Sequence, residues 1–147
     1  QPYVMRYFSY EQYGEDDKMQ RFNKTNVNEL KDFIYYGFAH DALLKEFTCD
    51  GNGESARIEF FHSYFKIKTT MVFNDMEVVL ATKGNWGGER GSISSLTVED
   101  DFSYLQTYLP THSGYSEDSL YLLFQMFSGD ELHIVAKEVM AANMKDA

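Results

Sequence analysis

The chain is short of several things at once. It has one cysteine, Cys49, and two prolines, Pro2 and Pro110, in 147 residues. A lone cysteine excludes an internal disulfide and fits a reducing compartment, so the cytoplasm is the expected location. No Pro-rich linker, repeat or low-complexity tract divides the chain, and residues 1–147 read as one domain. No run approaches the roughly 18 apolar residues that cross a bilayer, and the N-terminal stretch has no signal-peptide core. Basic residues are scarce too: 13 Lys and Arg against 23 Asp and Glu leave a formal net charge of −10. That argues against a nucleic-acid binder, which needs clustered cations to neutralise phosphate. It argues equally against docking on anionic lipid.

What is abundant is apolar and aromatic. Hydrophobic residues make up 44% of the chain, enough for a real core, and aromatics 16%, with 12 Phe and 11 Tyr. Aromatic side chains favour pleated, half-buried surfaces, so the composition leans toward β structure.

Residues 1–25 read as an irregular or edge-strand opening segment. A helix is signalled next: Asn26 as its cap, Glu29 as the reciprocal partner, and Gly37 to close it in the left-handed conformation. Val27, Leu30 and Ile34 between them share one face at helical spacing, so the helix should lie on a sheet. From residue 42 the period changes to two. A run over 42–49 ends at Asp50-Gly51-Asn52-Gly53, a turn signal, and 56–61 follows with Ala56, Ile58 and Phe60 on one face. In 64–70 Phe65 and Ile67 alternate with Lys66 and Lys68, which predicts a half-buried strand. Asn74-Asp75 is expected to turn the chain into a further strand over 76–82. Another is expected near 92–98, then a short helix through Leu105 or, equally, a continued strand. The last hairpin joins residues 118–127 to 131–139 through Ser128-Gly129-Asp130. With no regular strand–helix–strand alternation, the expected fold is α+β: a mainly antiparallel sheet curled into a sandwich or roll, with one N-terminal helix packed on it.

Few residues suggest chemistry. Of the four histidines, His40, His62, His112 and His133, none stands in a zinc-ligand spacing. His40-Asp41 is a doublet of the kind that binds divalent metal, but no histidine precedes it and strand follows. Its plainer reading is a polar junction between helix and strand. His62, across the 50–53 turn from Cys49, is the one nearby base for a thiol; a packed, inert cysteine is the default. No nucleophile-elbow pattern occurs. The Gly-rich loop Gly84 to Gly91 fits neither a phosphate loop nor a dinucleotide fingerprint. It carries Trp86, the one tryptophan, and Arg90, a pair suited to anchoring a protein interface. Acidic residues cluster at 15–17, 99–101 and 117–118, without the spacing of a calcium loop.

From Ala39-His40-Asp41-Ala42 the layout runs through Val72-Phe73-Asn74-Asp75-Met76 to Glu131-Leu132-His133-Ile134-Val135-Ala136-Lys137. Over roughly the C-terminal three quarters it resembles small bacterial β-rich domains of unknown function, some of them similar to immunity proteins encoded beside secreted toxins. The resemblance implies a non-enzymatic cytoplasmic inhibitor. Two readings result. One is an acidic binding module with no catalytic residue and no cofactor, meeting a basic protein partner through Trp86, Arg90, Asp100 and Asp101. The other is a small-ligand protein or metal-dependent enzyme using a sheet cleft at His40, Asp41 and His62.

Overall fold

A computed structural model describes residues 19–35, 37–82, 91–109 and 114–145. The expected anchors Trp86 and Arg90, the histidine His112, and the acidic run 15–17 lie outside the described residues.

The chain runs β1 (Gln20–Phe22), a 3₁₀ turn (Lys24–Asn26), α1 (Val27–Tyr35), β2 (Leu43–Cys49), β3 (Ala56–His62) and β4 (Ile67–Ala81). It continues with β5 (Ile93–Val98), α2 (Ser103–Gln106), β6 (Leu120–Met126) and β7 (Glu131–Lys145). All pairings are antiparallel, in the order β2-β3-β4-β7-β6-β5, with β1 added to the C-terminal half of β7. The sheet curls until its two ends meet. Leu43 bridges Ser92, the Asp41 N–H donates to the Ile93 carbonyl at 2.9 Å, and the Ile93 N–H donates to the Ala42 carbonyl at 2.8 Å. The architecture is the α+β curled antiparallel sheet that the sequence implies.

The larger apolar cluster joins α1 to the sheet through Leu30, Phe33, Leu44, Ile58, Phe60, Met71, Phe73, Leu122, Phe124 and Ile134. Leu30 has no exposed surface, so Leu30→Ala would cost about 2–5 kcal/mol as a core truncation. A second cluster on the other side of the sheet packs Phe102 and Leu105 onto Val78, Tyr121, Leu123 and Val135. β6 is therefore buried on both faces, which is why its first five residues, LYLLF, are apolar without alternation.

The structure corrects the expected boundaries in four places. The capping box lies one turn earlier, at the 3₁₀ turn that leads into α1: the Asn23 side chain accepts from the Thr25 N–H at 2.9 Å, and Asn26, expected as the cap of α1, accepts from the Asn23 N–H at 2.7 Å. Asn can serve either position of a capping box, so the pattern slips by three residues. Tyr64 and Phe65 are not strand: residues 63–66 form a turn, with Lys66 at φ 60°, and β4 starts at Ile67. Asn74-Asp75 does not turn the chain back. Asp75 takes φ 51° inside a continuous β4, and the register shifts between Met76 and Val78. A positive-φ Asp suits a bulge as well as a turn, and periodicity does not separate the two. Finally, β7 extends to Lys145, paired to β4 along its whole length. Its alternation slips by one between Ala136 and Val139, both in the same cluster, opposite the Asp75 irregularity.

Candidate functional site

The seam that closes the sheet also carries a groove. The α1–β2 connection ends at the β2–β5 bridge, and the β3–β4 turn stands beside it because Leu43 pairs with Phe61. Between the two lies an open groove of about 560 Å³, lined by Gly37, Phe38, His40, Asp41, His62, Ser63, Tyr64 and Phe65. The fold thus brings His62 to one cleft with the His40-Asp41 doublet, more than twenty positions earlier in sequence.

Their surroundings differ. Nδ1 of His40 is 2.7 Å from the Ser94 carbonyl oxygen, to which it donates, so Nε2 faces the Asp41 carboxylate at 3.5 Å. Asp41 holds φ 69°, a conformation that Asp tolerates better than most residues, and this turns its carboxylate toward solvent beside the ring. On the opposite wall Nδ1 of His62 accepts from the Phe65 N–H at 3.4 Å, closing the turn, and the His62 ring packs on Phe65 at 4.8 Å between centroids. Phe38 meets Phe65 at 5.1 Å and Tyr64 meets it at 4.9 Å. Rings this close touch one another and leave no space for a cation between them, so the wall is an aromatic ledge, not an enclosing cage. Tyr64 is 81% exposed and Phe65 45%, and on the other wall the exposed Phe127 meets the His40 ring at 5.8 Å. Among the described residues no three His, Cys, Asp or Glu side chains converge as a metal ion requires.

Asp100 and Asp101 lie elsewhere and are engaged by the chain itself. Asp100 pairs with Lys31 of α1 at 3.1 Å, an exposed contact worth about 0–1 kcal/mol. Asp101 accepts from the Ser103 N–H at 2.9 Å and hydroxyl at 2.7 Å, starting α2. Those bonds hold its carboxyl below the usual range. Cys49 is exposed and unpaired, in a shallow recess with Asp50 and Arg57. Partial burial and then the Asp50 charge push its thiol up, away from the thiolate that a nucleophile needs.

Sequence reasoning missed one polar constellation. Beneath α2, His133 is shut from solvent with Nδ1 2.7 Å from the Tyr121 hydroxyl and Nε2 3.2 Å from Glu131 Oε1. Tyr104 donates to the same Glu131 oxygen at 2.9 Å, and Gln125 to the other at 3.1 Å. Burial works against ionisation of Glu131, but the bonds from Tyr104, Gln125 and His133 prevail and hold its carboxyl below the usual range. Alternation set His133 opposite Leu132 and Ile134, hence on the face expected to be solvated. The apolar run over residues 120–124 of β6 was the signal that both faces are covered.

No family model matches the chain, and no curated protein does. Among solved structures it is similar to an uncharacterized protein from Neisseria gonorrhoeae, at 11% identity and a TM-score of 0.39, covering 69% of this chain and 90% of that one. No helix of the described residues is long and apolar enough to cross a membrane.

Proposed function

We propose that the chain is a non-enzymatic binding module of the bacterial cytoplasm, an immunity-type inhibitor that covers a basic protein partner through the groove at the sheet seam. The observation that carries this is the groove itself. Exposed aromatic rings, Tyr64 and Phe65, face an exposed carboxylate, Asp41, on a chain of net charge −10. An Arg or Lys of the partner laid across it meets a ring face and a carboxylate together, which combines a cation–π contact with charge attraction. The surrounding negative field raises the encounter rate with a basic surface. An exposed, unpaired Cys49 suits a reducing compartment. Trp86 and Arg90 remain proposed anchors, with Asp100 and Asp101 adding charge.

Calorimetry tests the reading with a short Arg-rich peptide as probe. Binding is expected at low salt, weakened by salt, and weakened again by Tyr64→Ser and by Asp41→Asn. Equal affinity in wild type and both variants would remove the groove from the reading.

The second reading, a small-ligand or metal-dependent enzyme, draws on one observation: His40, Asp41 and His62 share this groove. Saturable Zn²⁺ uptake, abolished by His40→Ala and by His62→Ala, would favour it over the first.

A further inference from the structure

Behind the groove, between α1 and the sheet, is a small chamber of about 10 Å³. Its walls are apolar, from Phe33, Phe38, Phe60, Met71 and Leu96, except where β4 and β7 face each other at Thr69 and Asn143. These two are 2% and 3% exposed. The Thr69 hydroxyl hydrogen-bonds Asn143 Oδ1, and Nδ2 of the same amide has no hydrogen-bond partner. Turning the amide over changes only which of its ends is orphaned, because the hydroxyl both donates and accepts. A buried amide end left unpaired carries its full desolvation penalty, so some group must meet it.

Size decides what that group is. A chamber needs roughly 10–15 Å³ of such space to hold a water, and anything larger would have to displace the rings that wall it. Further polar groups are at hand on the far side. Phe33, Ile34 and Gly37 line the chamber at the C-terminal end of α1, where the Ile34 carbonyl accepts from the Gly37 N–H at 3.1 Å and keeps a second lone pair for another donor. A Cβ at Gly37 would stand 2.8 Å from the Phe33 carbonyl oxygen and 3.3 Å from that of Ile34. We propose that the chamber is a binding site for a single internal water, which accepts from Asn143 and donates to the carbonyls that end α1. Gly37 and Phe38 belong to both chamber and groove, so this water fixes the inner wall of the groove to the sheet.

The test is a water–protein NOE measurement on ¹⁵N-labelled protein. The Asn143 side-chain amide protons are expected to show a cross-peak to water with the sign of a molecule that tumbles with the protein. Thr69→Val keeps the amide and should keep the peak. Asn143→Leu removes the water and is expected to shift the Gly37 and Phe38 backbone resonances while distant strands stay unchanged. An amide with no water cross-peak in the wild type would overturn the proposal. So would a crystal structure with Nδ2 bonded to a protein group and the chamber dry. If Asn143→Leu does not fold, the wild-type and Thr69→Val spectra decide alone.

Discussion

The Tyr121 hydroxyl stands 2.7 Å from Nδ1 of His133, and both side chains are closed to solvent. Glu131, held in its ionised form by its donors, accepts from the other ring nitrogen, so Nε2 carries the proton and Nδ1 accepts from the phenol. The register sets Tyr121 diagonal to His133, since Tyr121 pairs with Val135 and Leu123 with His133. Tyr121→Phe leaves a buried Nδ1 unpaired, at a cost of about 1–3 kcal/mol. Denaturant midpoints are expected to show that loss, with an unchanged denaturant slope; no loss would mean that the nitrogen finds another partner.

Stability should also fall at high pH. Hydrogen bonding to Tyr108 and to Glu131 raises the Tyr104 phenol well above the usual range, and burial followed by the Glu99 charge does the same to Tyr121. The unfolded chain releases these protons from about pH 10 upward while the folded chain keeps them, so stability declines as pH rises past that point. Glu131 acts at the other end. Its carboxyl is lowered on folding, so its contribution is present above the unfolded value and is lost as pH falls through the folded one. Phenolate absorbance is expected to show tyrosines that ionise only on unfolding, one fewer in Tyr121→Phe.

Asp75 lies inside β4 at φ 51°, opposite the slip in β7. Asp75→Asn should be nearly neutral, because both residues tolerate the left-handed region, whereas Asp75→Val should cost about 1–2 kcal/mol. Equal midpoints for the two variants would mean that residue 75 relaxes from its positive φ to ordinary strand geometry.

Much of this fold was legible because its signals were local. Period-two alternation over 56–61 and the Ser128-Gly129-Asp130 turn mark real elements, and Gly129 takes φ 94° as that turn requires. What failed were signals with two meanings. Asp75 reads as a turn whether it reverses the chain or only bulges it. Tyr64-Phe65 continues an alternation that Lys66, at φ 60°, breaks. Of the groove, His40, Asp41 and His62 could be named from sequence. Their aromatic neighbours could not, because Tyr64 and Phe65 reach the groove only through a turn that carries neither Gly, Pro nor Asn.

Cys49 should react slowly with iodoacetamide at neutral pH although it is exposed, because its thiol is pushed up by partial burial and by Asp50. The labelling rate is expected to climb only in the alkaline range, where the thiolate forms. Fast labelling at pH 7 would instead mark an activated thiol.

The groove is tested most directly by backbone chemical shifts during titration with the Arg-rich peptide at low and high salt. Shifts concentrated at 37–41 and 62–65, shrinking with salt and in Asp41→Asn, are expected of a face that receives a basic partner. Shifts spread over the acidic surface, or unaltered in Asp41→Asn, would contradict it.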